Sequence, residues 1–508
     1  MSATFFGHPR GLATLFFTEM WERFTYYGMR AVLVLFLVSA VSAGGFGIDD
    51  KTAAAIYGLY TAGTYLVALP GGWIADRLIG ARQAVLIGGV GIALGNALLA
   101  MSSSPRGFYL GLVVIVLGVG LLKPNVSAMV ADLYPEGGAR LDAGFTVFYM
   151  GINLGATLGP LVTGEAIALF GPRAGFGAAA LFMALGVLQY YLTQHHLGNA
   201  GQSNGQPAKP GQPTGTGTGT GKALALALAL APPWRQLWIG VGLAVIALAA
   251  CSLGWIALDP LILAQATTAL IVTMAVLYFG YLFTVAGLSA EERRRAVVIF
   301  VLFLGSALFW SGYEQAGSSL NLFAERYTDR SIGWLHVVVP TGWFQSLNPI
   351  YIILFAPAFA WAWVALAKRN LNPSAPAKFA IGVILMGSGF LVMAAAAAIV
   401  AGGSKVLPTW LILTYLLHTF GELCLSPVGL SYTTKLAPKR FVGQLMGMWF
   451  LSLSLGNLMA GLIAGQFDAN NVAAMPGQYM RIVYFSVGLG AVLLILSRPV
   501  KKLMGNVQ

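Results

Sequence analysis

Apolar segments of about 20 residues recur almost from one end of the chain to the other, with short polar stretches between them. The pattern predicts about fourteen membrane spans. Lipid offers the backbone no hydrogen-bond partner, and the alternating strands of a barrel are absent, so the predicted fold class is an all-α polytopic membrane protein. The spans lie at roughly 11–39, 53–79, 83–102, 106–131, 142–168, 173–193, 237–257, 262–286, 294–322, 340–368, 377–400, 407–434, 441–468 and 480–500.

One segment without apolar character interrupts the spans. Residues 198–221 read GNAGQSNGQPAKPGQPTGTGTGTG, a composition with nothing to pack, which predicts a flexible linker. Two six-helix halves with a binding site between them are typical of transporters that rock around that site. The predicted parts are an N-terminal six-helix bundle at 1–197, a cytoplasmic linker at 198–236, an inserted helix pair at 237–290 and a C-terminal six-helix bundle at 291–508.

Composition agrees with a membrane protein and indicates its orientation. Of 508 residues, 57% are hydrophobic and 9% are charged, and the mean hydropathy is +0.77. The net charge of +12 does not indicate nucleic-acid binding, because the basic residues are spread over short loops. Nineteen of them fall in one set of loops and seven in the opposite set. This asymmetry predicts a multi-pass protein of the cell (inner) membrane with both termini in the cytoplasm.

The first predicted span contains four charged residues, each of which costs about 2.5–3.5 kcal/mol at the bilayer centre. A ladder of structural ion pairs between helices is one interpretation. Two carboxylates beside arginines favour a proton pathway instead, because a carboxylate that changes partners binds and releases a proton. Helical spacing places these residues and two tyrosines on one face: Glu19, Glu22, Arg23, Tyr26, Tyr27 and Arg30.

Charges inside other spans indicate a zwitterionic substrate. Lys123 lies in the fourth span, and Glu314 and Glu422 lie in the second half. Cationic groups in one half fit a carboxylate, and carboxylates in the other half fit an ammonium group. A di- or tripeptide, roughly 7–11 Å long, has both groups at a suitable separation. Four aromatic residues offer apolar walls for such a substrate: Tyr26, Tyr65, Trp310 and Trp449.

Two amides and the histidines complete the candidate chemistry. Asn153 and Asn348 offer hydrogen bonds to a substrate, although either amide taken singly fits a helix–helix contact better. His418, one turn before Glu422, fits a structural role. The sequence contains no metal-ligand cluster and no nucleophile motif, and its five histidines are scattered. We therefore expect no enzyme activity, no metal and no cofactor.

Several motifs match a known family in order along almost the whole chain. They are Glu19-x-x-Glu22-Arg23-Phe24, GGWIADRLIGAR at 71–82, LLKPN around Lys123, DAGFTVFYMGINLGA from Asp142, WSGYEQ around Glu314, WFQSLNP around Asn348 and GELCLSPVGLSYTTKLAP from Gly421. With them the chain resembles the proton-dependent oligopeptide transporters (POT/PTR) of bacterial type, a family within the major facilitator superfamily. The resemblance implies two six-helix bundles plus two inserted helices, and uptake of di- and tripeptides coupled to protons by alternating access.

The resemblance also implies roles for individual residues. Arg30 and Lys123 would receive the peptide carboxylate, and Glu422 with Asn153 and Asn348 would receive its amino group. The residues implied in proton coupling are Glu19, Glu22, Arg23 and Glu314. The residues implied in gating salt bridges are Arg30, Glu314, Lys123 and Glu422. The other residues implied in lining the peptide pocket are Tyr26, Tyr27, Tyr65, Tyr134, Trp310, Ser426 and Trp449.

One departure from the family and two alternatives bear on function. Mammalian-type members carry a histidine on the second helix, where this chain has Gly58, so proton handling is expected to depend on carboxylates. A transporter of another small anion or zwitterion, such as nitrate or an amino acid, fits the pocket charges in part. A non-transporting nutrient receptor would not need the charged stripe of the first span. The expected partners are di- and tripeptides, protons and membrane lipids, with no nucleic acid.

Overall fold

The structure is a computed structural model, and it describes residues 4–136, 138–202, 259–333, 337–467 and 471–504. Seven α-helices make up the N-terminal half within the first two of these ranges. They are α1 (Arg10–Val38), α2 (Asp50–Leu66), α3 (Ala68–Ile74), α4 (Ala81–Met101), α5 (Pro105–Asp132), α6 (Gly138–Phe170) and α7 (Ala174–Thr193).

The second span is built from two helices because of a proline. Pro70 has no N–H and cannot donate a hydrogen bond to the carbonyl of Leu66, where α2 ends. The chain continues as α3 and then as a π-helical turn at Ala75–Ile79. The span therefore bends while it crosses the bundle.

Helix α8 (Pro260–Thr284) precedes the C-terminal half. In that half, the seventh span of the two bundles is broken by a 3₁₀ turn at Glu314–Gly317. A short antiparallel ribbon, β1 (Ser331–Ile332) and β2 (Val337–Val338), pairs Ser331 with Val338 and Ile332 with Val337. The remaining helices are α9 (Ala290–Tyr313), α10 (Ser319–Tyr327), α11 (Leu347–Lys368), α12 (Ala375–Ala401), α13 (Thr409–Leu436), α14 (Val442–Ala464) and α15 (Met475–Leu503).

Twelve helical segments of the described residues are long and apolar enough to cross a membrane. The all-α membrane architecture is therefore confirmed, whereas the count of fourteen spans stays a prediction. Helix α1 is 29 residues long but is not among the twelve, because its charged side chains interrupt every apolar window. The predicted span at 237–257 lies outside the described residues.

The helices pack as two bundles, each with its own cluster of buried apolar side chains. In the first bundle α1 packs against α6 and α7, and α4 packs against α5; in the second, α12 packs against α13 and α15. Helices α2 and α14 pack against each other across the two halves, and α8 lies against both of them. The interface between the halves thus runs beside α2 and α14.

Direct hydrogen bonds join the two halves toward one end of the bundle. We call the end where α1 begins the terminal face and the end where α1 finishes the opposite face. Near the opposite face, Asn321 Nδ2 donates to the carbonyl of Ala31 at 2.7 Å. Ser346 Oγ donates to the carbonyl of Thr157 at 2.7 Å. These bonds, from the C-terminal half to α1 and α6, close the interface on the opposite-face side.

The crossing of α1 and α6 depends on Gly155. A Cβ at this position would lie 2.1 Å from the carbonyl oxygen of Met20, which is backbone and cannot move aside. We expect Gly155→Ala to force the two helices apart and to lower the free energy of unfolding by about 1–3 kcal/mol or more. Thermal unfolding in detergent measures this loss. Gly488→Ala on α15 is the matched control, because a Cβ there meets no heavy atom within 4 Å; equal melting temperatures for both variants would contradict the prediction.

Candidate functional site

Glu19, Glu22 and Arg23 form one buried cluster on α1. Arg23 Nε lies 3.1 Å from Glu19 Oε1 and also contacts Glu22 Oε2. The exposed fractions of the three residues are only 3%, 0% and 5%. One guanidinium therefore serves two carboxylates, as the helical spacing predicts. The cluster carries a surplus negative charge when all three groups are ionised.

Lys123 on α5 supplies a nearby positive charge without an ion pair of its own. Its Nζ lies 4.1 Å from the ring centroid of Tyr65, an arrangement typical of a cation–π contact. Electrostatic interactions link it to Glu19 and Glu22. Among the described residues no carboxylate lies within 4.0 Å of its ammonium group. Within the described ranges Lys123 thus has no direct carboxylate partner, and it does not pair with Glu422, the other member of the implied gate.

Tyr26 and Tyr27 continue the α1 stripe as aromatic surfaces between two arginines. Arg23 Cζ lies 5.2 Å from the ring centroid of Tyr26, and Arg30 Cζ lies 5.6 Å from that of Tyr27. The two rings meet edge to face at 5.2 Å. Each guanidinium group therefore has an aromatic ring on one side. The ring helps to hold it in place whichever carboxylate it pairs with.

Arg30 connects the two halves of the protein. Its Nη1 lies 3.1 Å from Glu314 Oε2, and Tyr57 on α2 donates a hydrogen bond to the same oxygen at 3.4 Å. Arg30 and Glu314 are 3% and 2% exposed. The 3₁₀ turn that begins at Glu314 ends α9 in the middle of the bundle and so presents this carboxylate to α1. The structure therefore contains the pair that the sequence implied, together with Tyr57, which the sequence did not single out.

Glu422 on α13 lies in a second polar cluster within the C-terminal half. Asn348 Nδ2 on α11 donates to Glu422 Oε2 at 2.9 Å and to Thr419 Oγ1 at 3.0 Å. Asn348 thus orients Glu422. The two residues lie together, as expected if both bind the amino group of a peptide.

A cavity between the halves joins these groups. In this state it is narrow, with about 10 Å³ open to the centre of a water-sized sphere, which is room for roughly one water molecule. Arg30 lies on its wall from the N-terminal half and Asn348 on its wall from the C-terminal half. The cationic group and the amide that orients Glu422 therefore face one enclosed space. The full lining is Tyr27, Arg30, Tyr313, Ala316, Gln345, Asn348, Tyr415 and His418.

Three predicted pocket residues lie within the C-terminal bundle but do not line the cavity themselves. The Trp310 ring meets Tyr313, a cavity residue, edge to face at 5.0 Å. Trp449 is 7% exposed and packs its ring against Gly429 of α13. The Ser426 hydroxyl is buried and has no hydrogen-bond partner among the described residues. Of the three, Trp310 has the most direct contact with the cavity wall.

Two other predicted residues make contacts of their own. Asn153 is 4% exposed, and its Nδ2 donates to the carbonyl of Tyr149 on the same helix at 3.0 Å. Tyr134 lies just beyond the end of α5 and bonds through its hydroxyl to His8 Nδ1 at 2.8 Å. Eleven residues separate it from Lys123, a helical rise of about 16 Å. Tyr134 therefore lies at the terminal face, whereas the rest of the predicted set lies deeper in the bundle.

An ion pair near the opposite face was not predicted from the sequence. Arg326, at the end of α10, forms a two-pronged pair with Asp50, the first residue of α2. Nη1 lies 2.5 Å from Oδ2 and Nη2 lies 2.8 Å from Oδ1. The sequence shows only two charges near the ends of different spans, 276 residues apart. Their pairing depends on the packing of α2 against the C-terminal half, for which one sequence carries no local signal.

Metal binding has no candidate site in the part of the chain that the structure describes. No group of three or more histidine, cysteine, aspartate or glutamate residues there is arranged to hold a metal ion. The chemistry available to the site is thus that of carboxylates, guanidinium groups, one ammonium group, amides and phenols.

Comparison with known proteins places this site in a family. Residues 82–210 and 263–482 match the POT family. The chain is 42% identical to a peptide transporter of Yersinia enterocolitica, covering 99% of this chain and 97% of the relative. It is 34% identical to a di-/tripeptide transporter of Lactococcus lactis subsp. cremoris, covering 99% and 98%.

Solved structures agree with the sequence relatives. A mutant of a POT peptide transporter in complex with alafosfalin is 39% identical and superposes with a TM-score of 0.87, covering 99% of this chain and 97% of that one. A POT family transporter in complex with a thioalcohol-conjugated peptide is 32% identical, with a TM-score of 0.85 and 98% of each chain covered. The predicted resemblance is confirmed, and the chain belongs to the POT family of membrane transporters, which have the major facilitator superfamily fold and are not enzymes.

Proposed function

We propose that this protein takes up di- and tripeptides across the cell membrane by alternating access, coupled to the entry of protons. The cavity between the halves carries the proposal, because Arg30 lines one wall and the Asn348–Glu422 pair borders the other. A short peptide has a carboxylate that would bind Arg30 and an ammonium group that would bind Glu422. The relatives named as peptide transporters support the same substrate class.

The peptide carboxylate would bind between Arg30 and Lys123. In the part of the chain that the structure describes, Lys123 has no direct carboxylate partner, so a ligand carboxylate would give it an ion pair. The amino group would bind Glu422, with Asn348 and Asn153 as further hydrogen-bond partners. The aromatic residues around the cavity would accept side chains of different shapes, since their contacts are apolar and not directional.

Proton coupling would depend on exchange of ion-pair partners. Arg30 now pairs with Glu314, so a peptide carboxylate has to compete with that glutamate. Protonation of Glu314 would remove the competitor and leave the guanidinium for the peptide. In the α1 cluster, Arg23 now contacts two carboxylates, those of Glu19 and Glu22. Protonation of either glutamate would leave Arg23 with one ion-pair partner. Proton and peptide would thus act on the same charged groups, and no cofactor would be needed.

The orientation we propose has both termini and the linker at 198–236 in the cytoplasm, on the basis of the loop charges. The terminal face would then be cytoplasmic and the opposite face periplasmic. With the halves bonded near the opposite face, the structure corresponds to a state closed to the periplasm. The bundles at 1–197 and 291–508 would be the two rocking bodies, with the insertion at 237–290 between them.

Uptake of labelled dialanine into proteoliposomes tests this function. With an inward proton gradient and a negative-inside potential, we expect accumulation that unlabelled di- and tripeptides block and that alanine and nitrate do not. Block by alanine or nitrate would support the alternative of another small anion or zwitterion. Binding without gradient-driven flux would support a receptor instead and would contradict proton symport.

The Asp50–Arg326 pair would help to close the periplasmic side. Its side chains are 17% and 30% exposed, so we expect a stabilisation of only about 1 kcal/mol, equivalent to about a five-fold shift between states. Asp50→Asn is expected to shift the population by that factor toward the state open at the opposite face. Distances between spin labels at Val41, in the 3₁₀ turn after α1, and at Val338, in β2, report this shift by double electron–electron resonance.

Charge reversal is the control for this pair. The double variant Asp50→Arg with Arg326→Asp restores an ion pair of opposite polarity and is expected to restore the distance distribution of the unmodified protein. Both native cysteines are replaced by alanine before labelling. If the double variant shows the same shift in label distances as Asp50→Asn, the ion pair does not stabilise the state that is closed at the opposite face.

A further inference from the structure

An apolar groove lies on the outer surface of the protein between α5 and α8, with α2 as its floor. It has a volume of about 420 Å³ open to the centres of water-sized spheres. Its deepest part is buried and consists mainly of Ile56 and Tyr60 on α2, with Leu112 on α5 beside them. Its rim is exposed: Val113 and Leu117 on α5 are 41% and 56% exposed, and Leu263 on α8 is 40% exposed. Among the described residues nothing covers this rim, and the predicted span at 237–257, which precedes α8 in the chain, lies outside them.

Hydrocarbon surrounds the bundle at this depth. Ile56 lies six residues from the start of α2 and Leu117 lies twelve residues from the start of α5, and both helices begin at the opposite face. These separations correspond to rises of about 9 Å and about 18 Å. The groove therefore lies within the roughly 30 Å hydrocarbon core of a membrane. The surroundings at that depth are hydrocarbon and not water, so an apolar groove there favours an apolar occupant.

We infer that this groove is a binding site for an acyl chain of a phospholipid from the leaflet at the opposite face. Tyr109 lines the groove four residues from the start of α5, a rise of about 6 Å. This places its amphipathic ring near the level of the lipid ester and headgroup, where tyrosine is enriched in membrane proteins. Apart from the Tyr60 hydroxyl, the side chains that line the groove below Tyr109 are apolar, which suits an acyl chain.

A chain bound there would contact the part of the protein that connects the two halves. Its floor helix, α2, packs on α14 of the other half, and α8 packs on both. The Tyr60 ring stacks on Tyr26 at 6.2 Å, and Tyr26 in turn lies against Arg23. One side chain therefore separates the groove from the aromatic surface of the charged α1 cluster. The site offers lipid a direct contact with the elements that have to move in transport.

Photo-crosslinking tests the site without any transport measurement. The variant Leu117→p-benzoylphenylalanine carries the probe on the exposed rim, where it does not disturb the core. The protein is reconstituted in nanodiscs of phosphatidylethanolamine and phosphatidylglycerol, extracted into detergent, washed to remove loosely bound lipid and then irradiated. Leu185→p-benzoylphenylalanine is the control, because Leu185 is 43% exposed on α7, eleven residues from the start of that helix.

We expect mass spectrometry to find a phospholipid adduct at position 117 and detergent adducts alone at position 185. Addition of Val113→Trp, which fills the rim one turn away, is expected to abolish the adduct, whereas Leu188→Trp on α7 is expected to retain it. Equal lipid adducts at both probes would mean only general lipid contact and would overturn the inference. A crosslink from position 117 to residues 203–258 of the same chain would overturn it as well, because that segment would then fill the groove. The assay measures neither uptake nor peptide binding, so its failure would leave the proposed function untouched.

Discussion

Replacement of Glu22 by glutamine is expected to abolish proton-driven accumulation of dialanine while peptide exchange continues. Glutamine retains the shape of glutamate and cannot change its charge, so Arg23 keeps a fixed pairing with Glu19 at 3.1 Å. A membrane potential of about 100 mV supplies about 2.3 kcal/mol per elementary charge, so loss of one coupled proton lowers the steady-state accumulation by up to about 50-fold.

Two measurements on the same proteoliposomes separate coupling from binding. Gradient-driven uptake is expected to fall to the rate measured without a gradient, whereas counterflow against internal unlabelled dialanine continues. Glu291→Gln is the control, because the Glu291 side chain is 67% exposed at the start of α9 and is expected to have no effect on either measurement. If the Glu22→Gln protein still accumulates dialanine, the α1 cluster is structural and the proton enters elsewhere.

The sequence predicted the features that each helix carries by itself. The charged stripe on α1 follows from helical spacing, and the structure places Glu19, Glu22 and Arg23 in one buried cluster accordingly. The apolar pattern also located most of the helices within a few residues. The same charges that identified the stripe lower the apolar character of α1, which is why composition alone does not place this helix among the twelve clear spans.

Contacts between helices were predicted only where the family resemblance supplied them. The pairing of Arg30 with Glu314 was of this kind and is present at 3.1 Å. The hydrogen bond from Tyr57 to Glu314 and the ion pair of Asp50 with Arg326 depend on how α2 packs against the other half. Hydrophobic periodicity predicts which face of a helix is buried, but not which residues of another helix that face contacts. These two pairs therefore could not be predicted from a single sequence.

The largest expected effect on binding comes from Glu422. In our proposal this carboxylate receives the amino group of the peptide, and Asn348 orients it at 2.9 Å. Removal of one member of a buried, hydrogen-bonded charge pair costs about 2 kcal/mol or more, so Glu422→Gln is expected to weaken dialanine binding by at least about 30-fold. Isothermal titration calorimetry on the purified protein measures this change.

Modified ligands show which end of the peptide Glu422 binds. N-acetyl-dialanine lacks the ammonium group, so the unmodified protein is expected to bind it weakly, and Glu422→Gln is expected to cause little further loss. Dialanine amide retains the ammonium group, so its binding is expected to fall with Glu422→Gln as strongly as that of dialanine does. The reverse pattern is expected for Lys123→Gln, which acts on the carboxylate. If both variants weaken all three ligands equally, each acts on the shape of the cavity, and the two ends of the peptide are not recognised by these charges.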